Sequence, residues 1–236
     1  MLFRNNRLIW LLLAAALLLA RGPVCVRAEE RRSTVILDAG HGGEDGGAVS
    51  ADGTPESGIN LQIAGRIRDV LTFLGYETVM TREGEGAVYS EGAVTLREKK
   101  VSDLNNRVAL INGTENARLI SIHQNSLPSH PRVHGAKVFY NAVQPAAGMA
   151  QSVQSALNVA VNAGNERPVT AIDSTIFLMK ESRRPAILVE CGFMSNPDEA
   201  AMLRDPVYQT RLAAAIAAGY AAFDTDPNRS GDTDEE

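Results

Sequence analysis

The chain has 236 residues, 44% of them apolar and 22% charged, with a formal net charge of −5 at pH 7. That length and balance suit one globular domain with a real hydrophobic core. They exclude a nucleic-acid partner gripped by a basic surface, and any general attraction to an anionic membrane.

Residues 1–30 open with Arg4 and Arg7 and then run apolar from Leu8 to Ala20. This is the layout of a secretory signal peptide, with "VRA" ending at Ala28 as the small-residue cleavage site. An uncleaved membrane anchor is the alternative, although the run is short for a bilayer span. Cys25 follows bulky Val24 and makes a poor lipid-attachment site. Beyond this segment Cys191 is the one cysteine, so no internal disulfide is expected. In the apolar stretch "LVECGF" it reads as a small core residue.

"STVILDAG" predicts a buried strand. "INLQIAGRIRDVLTFLGY" predicts a helix with Ile63, Ile67, Val70, Leu71 and Leu74 on one face, stopped by Gly75. "ETVMTR" reads as a second strand, and residues 83–100 as a long exposed loop. "VSDLNNRVALIN" carries Leu104, Val108 and Ile111 at helical spacing. "RLISIHQN" predicts a third strand ending at His123, and "GAKVFYN" a fourth. "GMAQSVQSALNVAVNA" sets Met149, Val153, Leu157 and Ala160 on one side of a helix. "STIFLMK" and "PAILVECGF" read as two more strands, "SNPDEAAMLRD" and "VYQTRLAAAIAAGYAAF" as closing helices. Residues 224–236 are acidic, without apolar periodicity, and read as a disordered tail. Alternating strands and helices predict a single α/β domain over residues 33–223, with a largely parallel or mixed sheet.

Three predicted strands deliver a chemically useful side chain at or just past their ends: His41, His123 and Glu190. Active sites of open α/β sheets gather at the carboxyl ends of strands, so parallel strands would bring the three together. Two histidines and a carboxylate are a common catalytic zinc set with an open position. Glu56, near a helix start and close in sequence to the His41 loop, suits the carboxylate ligand. Glu190, in an apolar run, would have a raised pKa and suits a general base. The reverse order of the two glutamates stays open on these grounds.

Taken singly, each residue has an ordinary explanation. His41 could hydrogen-bond its loop, and His123 could be a satisfied core histidine. Glu56 could favour a helix dipole, and Glu190 could pair with Arg183 or Arg184. His130 and His134 lie in a Pro-containing loop and read as exposed. Asp38 could orient a ligating imidazole or satisfy loop backbone. Gly42, Gly43, Gly46 and Gly47 lack both the P-loop ending and the dinucleotide spacing. They read as freedom for a sharp turn, not as a phosphate cradle.

"VILDAGHGGEDGGA", Glu56 before a helix, "TR" at 81–82, "NNRVALIN", "LISIHQNS" and "AILVECGFMSNPDEAAML" together resemble the zinc-dependent N-acetylmuramoyl-L-alanine amidases of the amidase-3 family. The resemblance covers nearly all of residues 33–223. It implies a twisted mixed sheet flanked by helices, one zinc ion (Zn2+) held by His41, Glu56 and His123, and Glu190 as catalytic acid/base. The implied activity is hydrolysis of the amide between the lactyl group of N-acetylmuramic acid and L-alanine in peptidoglycan, outside the cytoplasmic membrane. "LREKKVSDLNNRVALIN" resembles the germination-specific members of spore formers, which act in muramic δ-lactam formation in the spore cortex. An activating lipoprotein or a cortex-modifying deacetylase is the kind of partner this implies. A general amidase of wall turnover or division, a catalytically silent peptidoglycan-binding module and a peptidase cutting within the stem are the competing readings. The last lacks H-E-x-x-H. Ser57 replaces a common basic residue and Ala39 a frequent proline.

Overall fold

The β-branched run at the start of the domain forms β1 (Thr34–Ala39), buried along its whole length. It continues into α1 (Glu56–Phe73), β2 (Thr78–Met80), α2 (Leu96–Gly113), β3 (Ala117–Asn125) and β4 (Lys137–Tyr140). Next come α3 (Ala146–Ala160), β5 (Thr170–Ala171), α4 (Phe177–Glu181), β6 (Ala186–Phe193), α5 (Pro197–Arg204) and α6 (Pro206–Asp224). This computed structural model describes residues 32–172 and 175–226. The expected signal segment and the tail from residue 227 onward lie outside the described residues. No helix among the described residues is long and apolar enough to cross a membrane.

The six strands form one sheet in the order β2-β1-β3-β6-β4-β5. Strands β2, β1, β3 and β6 are parallel neighbours, while β4 runs antiparallel to β6 and β5 parallel to β4. The α/β class with a mixed, mostly parallel sheet is therefore as the sequence implies. The parallel centre is buried on both faces, which is why β1, β3 and β6 read as nearly continuous apolar runs.

Alternation along these strands feeds two cores. One face sends Val35, Leu37, Ile120, Ile122, Ile187 and Val189 against Ile63 and Ile67 of α1, Val153 and Leu157 of α3, and Ile216 and Tyr220 of α6. The other sends Ile36, Leu119 and Leu188 against Ile111 of α2 and Leu178 and Met179 of α4. Each fully buried aliphatic side chain contributes roughly 1.5–3 kcal/mol of transfer free energy. Close helix contact is built in: a Cβ at Gly219 of α6 would lie 2.6 Å from Val153 Cα in α3.

Three local expectations need correction. Of "STIFLMK", the described residues 175–180 form no strand; residues 177–180 lie in the short helix α4. Adjacent Leu178 and Met179 are both buried, a pattern that strand alternation cannot give and a helical turn can. The loop expected to reach residue 100 ends at Thr95, because "TLRE" is a capping box that starts α2 five residues earlier. On α1, Leu74 caps the helix and is partly exposed instead of joining the buried face.

Candidate metal centre

At the carboxyl end of the parallel strands, β1 leads into a turn through Gly40, His41 and Gly42. His41 adopts a left-handed backbone, φ 61°, which a non-glycine residue holds only when its surroundings fix it. His123 lies within β3, two residues before its end, not at the terminus as the sequence suggested. Glu56 is the first residue of α1, and its carboxylate turns inward and is almost fully buried.

These three side chains converge. Nε2 of His41 lies 2.5 Å from Oε1 of Glu56, and Nδ1 of His123 lies 3.8 Å from the same oxygen. One ligand-type atom from each of the three falls within 4.8 Å of the others. Two glycines make room. A Cβ at Gly40 would sit 2.3 Å from the His123 ring, and one at Gly47 2.2 Å from Oε1 of Glu56. The glycines of "GHGGEDGG" thus do more than turn the chain.

Glu190 pairs in register with His123 across β3 and β6, so both side chains leave the same face of the sheet. Its Oε2 is buried and has no hydrogen-bond partner among the described residues. No ion pair joins it to Arg183 or Arg184 there. Burial, reinforced by the charge of Glu56, pushes its carboxyl up to about 7 against the opposing imidazoles. Burial also acts to raise Glu56, but His123 and His41 outweigh it and hold that carboxyl at about 2. Burial lowers His41, yet Glu56 and Asp45 together raise it above its ordinary value.

The donor chemistry fits a divalent cation of the zinc type. Two imidazole nitrogens and one ionised carboxylate oxygen face one another, the set found in hydrolytic zinc sites. A buried carboxylate kept ionised, and a second carboxyl oxygen left without a partner, both gain from a positive charge between them. Behind the donors, His41 and Glu56 are braced. Asp45 Oδ2 lies 3.0 Å from His41 Nδ1, which leaves Nε2 free for the centre. The Gln124 amide donates to Glu56 Oε2 at 2.7 Å. Asn60 donates to the Gly40 carbonyl and accepts from the Gln124 side chain.

Asp38 does neither thing the sequence suggested. It accepts from Thr81, Ser121 and Arg107, the last at 2.6 Å in a buried ion pair. Burial alone would raise its carboxyl, but Arg107, His123 and Ser121 hold it below the usual range. Asp45, Asp103, Arg82, Arg107, Asn60 and Gln124 went unassigned in the sequence. Asp45 stands four residues after His41, and Asp103 four before Arg107, but such spacings are common on solvated surfaces. His130 and His134 are exposed, as expected. Cys191 is a buried core residue, its thiol pushed well up by burial.

A cleft opens over His41 and His123. Its walls include Lys100 and Leu104 of α2, and Ile176 and Phe177 at the start of α4. Ile176 and Phe177 are each about two-fifths exposed, so the wall offers apolar surface beside the polar centre.

Comparison with known proteins places this architecture. The germination-specific N-acetylmuramoyl-L-alanine amidase of Bacillus subtilis is 35% identical over 192 residues, covering 81% of this chain and 80% of that protein. The structure of the CwlD amidase from Clostridioides difficile, in complex with the GerS lipoprotein, superposes with TM-score 0.77 at 36% identity, covering 80% of this chain and 97% of that one. An N-acetylmuramoyl-L-alanine amidase from Clostridium difficile 630 superposes with TM-score 0.70 at 28% identity, covering 82% and 97%. Residues 35–222 match the amidase-3 family description, N-acetylmuramoyl-L-alanine amidase, and the chain belongs to that family.

Proposed function

We propose that this chain is a peptidoglycan amidase in which His41, Glu56 and His123 hold one zinc ion and Glu190 is the acid/base. The observation that carries the reading is the convergence of three donor atoms beside a buried carboxyl oxygen with no partner. The bond cut is the amide joining the lactyl group of N-acetylmuramic acid to L-alanine of the stem peptide.

When bound, zinc would supply Lewis-acid polarisation of the scissile carbonyl and make a nearby water more acidic. Glu190 takes a proton from the attacking water at Oε2 and returns it to the leaving amine nitrogen. Its raised affinity for protons suits both halves of that task near neutral pH. Asp45 holds the His41 ring so that Nε2 faces the centre. The Gln124 amide fixes one oxygen of Glu56 and leaves the other to the centre.

The biological setting we assign is spore-cortex modification, supported by the likeness to the germination-specific enzyme of Bacillus subtilis. Action on peptidoglycan requires export, which agrees with residues 1–30 as a signal or anchor. A lipoprotein partner is proposed on the likeness to CwlD, whose structure is a complex with the GerS lipoprotein.

Purified cortex-type peptidoglycan, incubated with the full chain with and without a chelator, tests the reading by mass spectrometry. Expected are free stem peptides with an L-alanine amino terminus, lost on chelation and recovered with zinc. Glu190→Gln should lower turnover by more than about 10³-fold while retaining the metal. Full activity of that variant would refute the base assignment. A new amino terminus inside the stem would indicate a peptidase, and binding without release a silent module.

A further inference from the structure

The turn that carries His41 is held from behind by two buried guanidinium groups. Arg82 is 4% and Arg107 2% exposed. The carbonyls of Ala39, Gly40 and His41 are consecutive, and all three point at these arginines. Arg82 donates through Nε to Ala39 O at 2.9 Å and through Nη2 to Gly40 O at 3.1 Å. Arg107 donates through Nη1 to Ala39 O at 2.8 Å and through Nη2 to His41 O at 2.8 Å.

The same Arg82 Nη2 donates to Ser57 O at 2.7 Å. Ser57 is the residue after Glu56, so one nitrogen ties the His41 turn to the first turn of the helix bearing Glu56. Nη1 of Arg82 closes on Gly84 O at 2.8 Å. Arg107 is in turn fixed by Asp103 through Nε at 2.8 Å and by Asp38 through Nη1 at 2.6 Å. Two aspartates thus balance two arginines under the turn, so the clamp adds little net charge.

We propose that Arg82 and Arg107 are positioning residues for the metal centre: by gripping three successive carbonyls they hold His41 in its left-handed conformation and at a set distance from Glu56. The inference rests on the metal reading above. A His41 residue in an ordinary backbone conformation would send its ring elsewhere, and the 61° torsion carries a cost that the clamp offsets. Arginine is required because a planar fork of five donors reaches several carbonyls at once, whereas the three donors of a lysine spring from one atom.

The test is Arg82→Lys and Arg107→Lys, with Arg118→Lys as a control for replacing a buried guanidinium elsewhere in the fold. Arg118 is also buried, pairs with Asp224, and lies five residues before His123 on β3, about 16 Å away along the strand. Zinc affinity is read by chelator competition, and the site itself by the visible absorption of the Co2+-loaded protein, with thermal melts alongside. Each clamp variant should bind zinc about 10–100-fold more weakly and shift the Co2+ bands. Arg118→Lys should lose thermal stability but keep the zinc affinity and the spectrum of the wild type. Wild-type affinity and spectrum in both clamp variants, whatever their melting temperatures, would overturn the proposal. Should Arg107→Lys fail to fold, Arg82→Lys carries the test, since its side-chain partners are all carbonyls. If the wild type itself takes up no zinc, the metal reading fails first, and the clamp falls with it.

Discussion

Two glycines decide whether the donor atoms can meet. Gly47 has φ +69°, and a Cβ there would lie 2.2 Å from the Glu56 carboxylate oxygen that faces both imidazoles. Gly40 has an ordinary φ, but its Cβ would enter the His123 ring at 2.3 Å. In both cases the obstacle is a side chain that supplies a donor atom to the centre, so relief means moving a donor. Gly40→Ala and Gly47→Ala should each lower zinc content and amidase turnover by at least tenfold, measured by metal analysis on the purified proteins and by stem-peptide release. Wild-type zinc content in both would show that the donors tolerate displacement. The base role proposed for Glu190 carries a second residue-scale expectation. A base acts when deprotonated, so kcat/KM should fall about tenfold per pH unit below its pKa. Burial pushes that value to about 7, and a bound cation moves it downward, never upward. The acid limb of a kcat/KM profile should therefore lie at or below about pH 7. A limb above pH 8 would mean that another group controls the rate.

At the scale of elements, α2 joins the catalytic edge to the smaller core. Its N-terminus is a reciprocal cap: Thr95 Oγ1 accepts from the Glu98 amide at 3.2 Å, and Glu98 accepts from the Thr95 amide at 2.9 Å. Thr95→Ala should cost about 1 kcal/mol, lowering Tm by roughly 2–4 °C. Arg107 lies more than three turns away, so zinc affinity should not change. A melting temperature equal to the wild type would show that this end of the helix is frayed in solution. The same helix marks what the sequence conceals. Its apolar stripe, Leu104, Val108 and Ile111, was legible, but the residues it buries are Asp103, Arg107 and Ile111. Helical periodicity finds apolar faces, and a buried ion pair has the composition of a solvated one. Arg107 meets Asp38 across 69 residues and Thr81 meets Asp38 across 43, separations beyond any local pattern. β1, β3 and β6 were legible because a sheet covered on both faces needs unbroken apolar runs, and their shared direction carried His41, His123 and Glu190 to one edge. α4 was misread because a run of seven residues is too short for its period to separate strand from helix.

For the molecule as a whole, the Asp38–Arg107 pair links folding to pH. Asp38 sits on β1, buried, with Arg107 at 2.6 Å and hydroxyls of Thr81 and Ser121 at 2.8 and 2.6 Å. Its folded pKa lies below the ordinary 3.8 because Arg107, His123 and Ser121 outweigh the burial that would raise it. A carboxyl with a depressed folded pKa binds fewer protons in the folded state than in the unfolded one. Its stabilisation is therefore complete above about pH 3.8 and is lost as pH falls through the folded value. Asp38→Asn keeps the shape but leaves the Arg107 charge partly uncompensated, since Asp103 alone remains beside it. Breaking a buried pair in this way costs about 3–5 kcal/mol, or roughly 10 °C in Tm at pH 7. The gap between wild type and variant should narrow as melts are taken from pH 7 to pH 2, because only the wild type carries this ionisation. Other depressed carboxyls, such as Asp45 and Glu56, titrate in both proteins and cancel in the difference. Melts recorded with excess chelator keep metal release out of the comparison. A gap that stays constant over that range would show that Asp38 contributes through its shape and hydrogen bonds alone, and not through its charge.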